Sequence, residues 1–325
     1  MQITLATPQD FEEIVPYLDT AYGFAPGFFG ERLASQWNEE GVDWSGVFLI
    51  RGADGRIASL VRIWEMELIQ DGRRVICGGI GSVSTLKTAR GEGYMSALMK
   101  HCVAEMARRG YPIAILWGDR FRYAPFGFEC GGRGAQFVVD KRGIGRCGIG
   151  RYGIEPMASR EIDDDVLAQI EVERAKMPFF RVRTRGEVPR MYRTPTRQVF
   201  AAGNGEDFGW MVWDVSRIVE WGGQMATVLG LAARAVELEI SEKLSFSLPD
   251  ASFAPPELLR AMSGWSQSSE SCRTAILDLP QTLHTFEIET PRAKLEKLDA
   301  RAQVWELFGR PDAPRNLWMS PIDTI

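Results

Sequence analysis

Histidine is scarce, and cysteine shows no pairing pattern, in this sequence of 325 residues. The two histidines, His101 and His284, stand far apart along the chain, so a metal site built from several imidazoles is not indicated. The five cysteines are widely separated and include no Cys-x-x-Cys pair, so neither a zinc site nor a disulfide framework is indicated. We therefore expect idle thiols in a reducing compartment and no bound metal.

Long apolar runs and a strong excess of one charge are also missing. No stretch of about eighteen consecutive apolar residues occurs, and residues 1–10 lack the basic and apolar segments of a signal peptide. The 38 Lys and Arg residues against 43 Asp and Glu residues give a net charge of −5. This charge provides no general attraction for nucleic acid or an anionic membrane. We expect a cytoplasmic protein with neither of these as a partner.

The composition, with 45% apolar and 25% charged residues, is that of an ordinary globular protein. At about 150 residues per domain, the length predicts about two domains. A Gly- and Arg-rich stretch at residues 141–152 has little hydrophobic periodicity and is interpreted as a linker. We therefore predict one domain over residues 1–145 and a second over residues 152–325.

The first domain alternates helical and extended patterns. Thr7 as N-cap, Pro8 at the first helical position and apolar residues at helical spacing predict a helix from residue 8 to about residue 22. Asp54-Gly55 and Asp71-Gly72 are hairpin signals, and they predict an antiparallel meander of three strands. An amphipathic helix over residues 93–109 and a buried strand over residues 113–117 come next. The pattern predicts an α/β (α+β) fold in which helices flank a mixed, mainly antiparallel sheet.

The second domain repeats this order of elements without repeating the sequence. A hairpin around Gly203-Asn-Gly205 is followed by a strand at residues 218–221, a helix at residues 224–237 and a strand at residues 244–248. We hypothesise a structural duplication of the first domain on this order alone.

The segment best suited to bind a ligand joins the third strand to the amphipathic helix and reads Arg90-Gly-Glu-Gly-Tyr-Met95. Backbone N–H groups at the start of a helix, with the helix dipole behind them, bind phosphate without many cationic side chains. Gly91 and Gly93 let an anion approach the main chain closely. Neither a Walker phosphate loop nor a Gly-x-Gly-x-x-Gly dinucleotide pattern fits the sequence.

These residues resemble the GCN5-related N-acetyltransferase (GNAT) superfamily, whose acetyl-CoA signature is Arg/Gln-x-x-Gly-x-Gly/Ala. Arg90, Gly93 and Met95 occupy the three positions, and the large Met95 is similar to the residue found in the Eis-like branch. A second match, Tyr123-Ala-Pro-Phe-Gly-Phe128, resembles the Tyr-x-x-Phe-Gly-Phe/Tyr segment of that family.

The resemblance covers roughly residues 1–140, and it implies a GNAT fold followed by a second, degenerate GNAT-like domain, as in tandem members. The second domain has Glu220-Trp-Gly-Gly-Gln-Met225 where the signature would stand. We infer that it binds no acetyl-CoA.

The resemblance implies an N-acetyltransferase that transfers an acetyl group from acetyl-CoA to a primary amine. Tyr123 would protonate the departing coenzyme thiolate as a general acid. The coenzyme would lie along the third strand and the glycine loop, against Ser82, Val83, Ser84, Arg90, Gly91, Glu92, Gly93, Tyr94 and Met95.

The general base is left open: Glu65 is one candidate, Asp119 is another carboxylate near the expected chemistry, and the terminal carboxylate of Ile325 is a third candidate, because a terminal carboxylate can serve this role in the resembling branch. Aromatic and acidic side chains would suit a cationic amine acceptor. The residues predicted for this pocket are Phe28, Phe29, Trp37, Trp64, Glu67, Trp117 and Asp119.

The acceptor is left open among a small cationic amine, an aminoglycoside-like molecule and a protein lysine. Two other functions remain alternatives: an acyl-CoA-binding sensor or scaffold without turnover, and an acyltransferase that uses a different acyl donor. A homo-oligomer is also compatible with the sequence.

Overall fold

The computed structural model describes residues 1–147, 157–158, 162–264 and 266–323. Within these residues the strands, numbered in chain order, are β1 Thr4–Leu5, β2 Val47–Arg51, β3 Ile57–Gln70, β4 Arg73–Thr85, β5 Ile113–Leu116, β6 Glu129–Cys130, β7 Arg133–Asp140, β8 Met157–Ala158, β9 Phe179–Arg181, β10 Arg197–Ala202, β11 Gly209–Asp214, β12 Arg217–Gly223, β13 Lys243–Leu248, β14 Gln267–Glu270 and β15 Arg273–Ile276. The α-helices are α1 Phe11–Tyr22, α2 Phe28–Arg32, α3 Tyr94–Arg108, α4 Arg120–Tyr123, α5 Lys141–Arg146, α6 Asp164–Arg174, α7 Glu187–Tyr192, α8 Met225–Glu237, α9 Pro256–Ala261, α10 Leu279–Thr285, α11 Arg292–Leu295 and α12 Ala300–Val304.

The chain divides into two compact units. The first contains residues 1–132 and 272–317, and the second contains the described parts of residues 133–271 together with residues 318–323. This division differs from the predicted domain limits, because residues 272–317 return to the first unit. None of the helices in the described part of the chain is long and apolar enough to cross a membrane.

The first unit is built around a sheet in the order β1-β2-β3-β4-β5-β15-β6. The predicted meander is confirmed, since β2, β3 and β4 pair antiparallel in sequence. Strand β5 pairs parallel to β4 over Gly78–Ile80, which makes the sheet mixed. Strand β15 pairs antiparallel to the other edge of β5 and so covers backbone groups that an edge strand would expose.

Helices cover both faces of this sheet. Leu98, Met99 and Cys102 of α3 are fully buried against apolar side chains of β3 and β4. On the opposite face, Ile14 and Leu18 of α1 are buried in a second cluster with residues of β2 and β3. This packing places the start of α3 just after the end of β4.

The second unit contains two smaller sheets, in the orders β12-β11-β10-β8 and β13-β7-β14. The predicted order of hairpin, strand, helix and strand is confirmed by β10, β11, β12, α8 and β13. The segment interpreted as a linker is a helix in its first part, because the Asp140 carboxylate accepts a hydrogen bond from the Gly143 N–H and caps α5. That this unit is a degenerate relative of the first stays a prediction.

Candidate functional site

The loop between β4 and α3 depends on two glycines in the left-handed region of backbone conformation. Gly91 has φ 92° and Gly93, the N-cap residue of α3, has φ 75°. Other residues are strained at such angles, so glycine is required here by the backbone itself. A Cβ atom at either position would meet no heavy atom within 4 Å. The loop therefore presents its main chain to open space.

The start of α3 has no side-chain cap. Its first turn contains no acidic residue, and the first bond that closes the helix is the one donated by the Ala97 N–H to the Gly93 carbonyl, at 3.0 Å. By contrast, the carboxylate of Asp163 caps α6 and the side-chain amide of Gln224 caps α8. The uncapped N–H groups and the positive end of the helix dipole point to an anion as the natural partner of this helix start.

Strand β4 contains a bulge directly before this loop. Leu60 of β3 pairs with Ser84 and Arg62 pairs with Gly81, so three steps along β4 oppose two steps along β3. Ser82, within the bulge, has φ 51°. A bulge leaves backbone groups outside the ladder, and such groups can hydrogen-bond an extended ligand in addition to the protein's own side chains.

Three aromatic side chains hold this bulge. The Trp37 indole N–H donates to the Ser82 hydroxyl at 3.1 Å, and the Tyr22 hydroxyl donates to the Val83 carbonyl at 3.2 Å. The hydroxyls of Tyr17 and Ser84 share a hydrogen bond of 3.1 Å. We call these three contacts the bulge ties. Each of the residues 82, 83 and 84 is held by one of these contacts. The sequence did not reveal Tyr17 or Tyr22, because both belong to α1 and lie more than 60 residues before their partners on β4.

Tyr123, the predicted general acid, is buried at the end of α4. Its ring meets that of Phe128 edge to face, with centroids 6.4 Å apart. A Cβ at Gly118 would lie 2.5 Å from the Tyr123 ring, so glycine is needed there to make room for the tyrosine. Burial is the largest influence on the Tyr123 hydroxyl and raises its pKa, against an opposing effect of Arg122. The phenol is therefore protonated at neutral pH.

The Tyr123 hydroxyl lies close enough to the Tyr22 hydroxyl to affect the pKa of Tyr22. Burial raises the pKa of Tyr22 most, and the nearby Tyr123 and Tyr17 hydroxyls raise it further. Tyr123 is also buried in the apolar cluster against which Val83 of the bulge and Tyr94 of α3 pack. The glycine loop, the bulge and the candidate acid thus belong to one region of the first unit.

Asp119 and Trp117 lie just before the N-terminal end of α4. The Asp119 carboxylate accepts a hydrogen bond from the Arg122 N–H at 2.8 Å and caps this short helix, while its charge contributes to the raised pKa of Tyr123. Trp117 is half-buried directly after β5. Asp119 is therefore close to the candidate acid, and Trp117 stands six residues before it in the chain. Their role in an acceptor pocket stays a prediction.

A buried carboxylate that the sequence did not single out anchors α4 and its neighbours. Glu129 forms ion pairs with Arg120 and Arg301 and accepts from the Cys130 N–H at 2.8 Å. These hydrogen bonds and charges outweigh the opposing effect of burial and lower the pKa of Glu129 to about 2. No local pattern could reveal this pair, since Arg301 lies 172 residues away from Glu129 in sequence.

The predicted aromatic residues separate into two groups. Phe28 and Phe29 belong to a cluster with Tyr22 and Phe24, in which the Phe24 and Phe28 rings stack at 4.0 Å. Because Tyr22 also bonds the bulge, this cluster adjoins the candidate site. Tyr22 and Phe24 are 43% and 44% exposed.

Trp37 and Trp64 are placed differently. The Arg62 guanidinium lies between their rings, 4.8 Å from the Trp37 centroid and 4.5 Å from the Trp64 centroid. Trp37 is also 1% exposed. Its contribution to the site is therefore the bulge tie rather than a wall open to an acceptor.

The structure does not bring Glu65 and Glu67 to the bulge. Glu65 pairs in register with Gly78, four residues before Ser82, which corresponds to about 13 Å along the strand. Its carboxylate accepts from the Tyr111 hydroxyl at 3.1 Å. Glu67 forms a two-bond ion pair with Arg74 at 2.6 and 2.9 Å. Ile325, another candidate base, lies outside the described residues.

The remaining predicted coenzyme residues follow the loop. Arg90 and Glu92 are exposed, and Tyr94 is half-buried at the first position of α3. Met95 packs against the apolar cluster beneath α3. That packing explains how a large side chain is accommodated where the signature has a small residue.

Comparison with known proteins agrees with this geometry. Residues 2–131 match the family model of the acetyltransferase (GNAT) domain. No protein of curated function matches the sequence.

Solved structures share the fold over most of the chain. A GCN5-related N-acetyltransferase from Kribbella flavida is 16% identical with a TM-score of 0.62, over 87% of this chain and 73% of that chain. One from Anabaena variabilis is 15% identical with a TM-score of 0.63, over 87% and 74%. Eis1 from Mycobacterium abscessus is 14% identical with a TM-score of 0.60, over 87% and 75%. At these identities the structures establish the fold, and the predicted fold class is confirmed.

Proposed function

Since the chain belongs to the GNAT acetyltransferase superfamily through residues 2–131, we propose that it transfers an acetyl group from acetyl-CoA to a primary amine. The observation that carries this proposal is the uncapped start of α3 behind two left-handed glycines, directly after the β4 bulge. A phosphate-bearing, extended co-substrate matches both features.

The residues present fit the coenzyme. Its pyrophosphate would be held by N–H groups of residues 91–96, where the open space at Gly91 and Gly93 leaves room for two phosphates. Its pantetheine arm would hydrogen-bond backbone groups of residues 82–84. Because the bulge ties already hold these residues in place, binding of the coenzyme would cost little conformational entropy at this segment.

The transfer needs a general acid that protonates the sulfur atom of the leaving coenzyme. The amine nitrogen bonds to the acetyl carbonyl carbon, the carbon–sulfur bond breaks, and the thiolate takes the phenolic proton of Tyr123. The raised pKa of Tyr123 keeps this proton in place until sulfur becomes basic. A backbone N–H of the bulge would stabilise the negative charge on the carbonyl oxygen.

The proton lost by the amine has two candidate destinations. The Asp119 carboxylate is exposed beside α4 and reaches the site electrostatically. The terminal carboxylate of Ile325 is the candidate implied by the Eis-like relatives. Glu65 is less suited, because its position in the β3–β4 register keeps it well away from the bulge.

The aromatic cluster beside the bulge favours a cationic acceptor. Tyr22 and Phe24 combine exposed ring surface with a direct link to Val83 through the Tyr22 hydroxyl. Aromatic faces attract ammonium groups. The acceptor class therefore remains a small cationic amine, an aminoglycoside-like molecule or a protein lysine.

The first experiment is a calorimetric titration with acetyl-CoA, followed by detection of released thiol with a panel of amines. Binding with thiol release is the expected result. Binding without release from any amine would favour a coenzyme sensor, and tighter binding of a longer acyl-CoA would favour a different acyl donor. The absence of binding would contradict the proposal.

A further inference from the structure

The second unit contains a cavity of about 180 Å³. It lies between β12 and β13, and residues 177–180 and 318–323 close its sides. The indole N–H of Trp221 on β12 donates to the Ser247 carbonyl on β13 at 3.1 Å, so the two strands are neighbours. They nevertheless belong to separate sheets, β12 at the edge of one and β13 at the edge of the other. The cavity occupies the gap left between these edges.

Five aromatic residues contribute to the cavity wall: Phe179, Phe180, Trp221, Phe253 and Trp318. The rings of Phe179 and Phe253 meet edge to face with centroids 5.4 Å apart, and Phe253 is 40% exposed. Concave sites with apolar and aromatic walls are typical of small-molecule binding.

The same unit is not built for a phosphate group. The side-chain oxygen of Gln224 accepts from the Thr227 N–H at 3.0 Å and so occupies the start of α8. A Cβ at Gly223 would lie 2.2 Å from the Phe208 carbonyl oxygen, whereas Gly91 and Gly93 of the first unit face open space. These contacts support the prediction that no coenzyme binds at the start of α8, and the cavity suits a molecule without phosphate.

Charged groups form one end of the cavity wall. The carboxylates of Glu220 and Asp323 line it together with the guanidinium group of Arg174. Both carboxylates pair with the buried Arg183, at 2.5 Å and 2.8 Å. Two carboxylates and one guanidinium group thus line the cavity, which favours a cation over an anion as its ligand.

We propose that this cavity binds a small, phosphate-free aromatic amine. The ring would lie among the aromatic walls, and the ammonium group would face Glu220 and Asp323. This second site is separate from the transfer chemistry proposed for the first unit and does not depend on it.

Three naphthalene compounds of similar size test the proposal with the full chain: 1-naphthylmethylamine, 1-naphthalenemethanol and 1-naphthoic acid. Saturating CoA is present so that the glycine loop is not the site measured. Binding is followed by calorimetry and by quenching of tryptophan fluorescence, since Trp221 and Trp318 line the cavity. We expect the amine to bind at least tenfold more tightly than the alcohol, and the acid not to bind. Equal affinity of amine and alcohol, tighter binding of the acid, or no binding at all would overturn the proposal.

Variants locate the site. Phe253→Ala removes an exposed part of the wall and should weaken amine binding about tenfold. Leu259→Ala, at a residue of α9 that is 48% exposed and does not line the cavity, is the matched control and should bind normally. Gly93→Glu should also bind the amine normally, which separates this site from the coenzyme loop, and the weaker binding by Phe253→Ala separates it from the acceptor pocket proposed beside Tyr22 and Phe24. If Phe253→Ala binds the amine as tightly as wild type, or if Gly93→Glu abolishes its binding, the cavity is not the site.

Discussion

The glycine loop gives the sharpest test of where the coenzyme phosphates bind. Gly93→Glu and Gly93→Gln introduce side chains of nearly the same size at a position with φ 75°. Both variants carry the same backbone strain, and neither side chain has a neighbour within 4 Å of its Cβ to collide with. The pair therefore differs in one negative charge at the start of α3.

The size of the effect follows from Coulomb's law. At a separation of about 5 Å and an effective dielectric constant of about 20, one pair of unit charges costs about 3 kcal/mol. This corresponds to a loss of affinity of more than about 100-fold. We expect Gly93→Gln to bind acetyl-CoA about tenfold more weakly than wild type, and Gly93→Glu at least about 100-fold more weakly than Gly93→Gln.

Calorimetry at low and high ionic strength measures both affinities. The difference between the two variants should shrink as salt rises, since salt screens exposed charges. Gly110→Glu is the control for strain, because Gly110 has φ 80°, also faces open space and lies just beyond the opposite end of α3. It should bind acetyl-CoA normally. Equal affinities of folded Gly93→Glu and Gly93→Gln would refute phosphate binding at this helix start.

Three further predictions follow from the same region. Tyr123→Phe should lower kcat about 100-fold and leave the Kd for acetyl-CoA within about twofold, measured by thiol release and calorimetry; an unchanged kcat would remove Tyr123 from the mechanism. Tyr17→Phe removes the bulge tie to Ser84, so the free energy of unfolding should fall by about 1 kcal/mol in urea and the Kd for acetyl-CoA should rise several-fold; a loss of stability alone would mean that the tie does not serve binding. The pKa of Glu129 is lowered to about 2 from an ordinary value of 4.5, so its stabilising effect is complete above about pH 4.5 and is lost as pH falls towards 2. Between pH 6 and pH 3, Glu129→Gln should therefore lose less stability than wild type, and parallel losses would contradict the ion-pair assignment.

Local patterns were sufficient to predict the meander, α3 and the glycine loop. Hairpin turns, helical periodicity and left-handed glycines each depend on residues within a few positions of one another. Gly91 and Gly93 adopt left-handed conformations next to a helix start, and a short segment of sequence already carries that information. The Tyr-x-x-Phe-Gly-Phe motif also singled out Tyr123, whose role as general acid stays a prediction.

Contacts between distant parts of the chain could only be seen in the folded structure. The convergence of Tyr17, Tyr22 and Trp37 on residues 82–84 brings together positions 45 to 67 residues apart. The insertion of β15 beside β5 and the pair between Glu129 and Arg301 span even longer separations. Such pairings produce no periodicity or fixed spacing in the sequence, because they depend on how distant elements pack against one another in the folded protein. For the same reason, the sequence could not give the distance of Glu65 from the bulge, which is set by its pairing with Gly78 of β4.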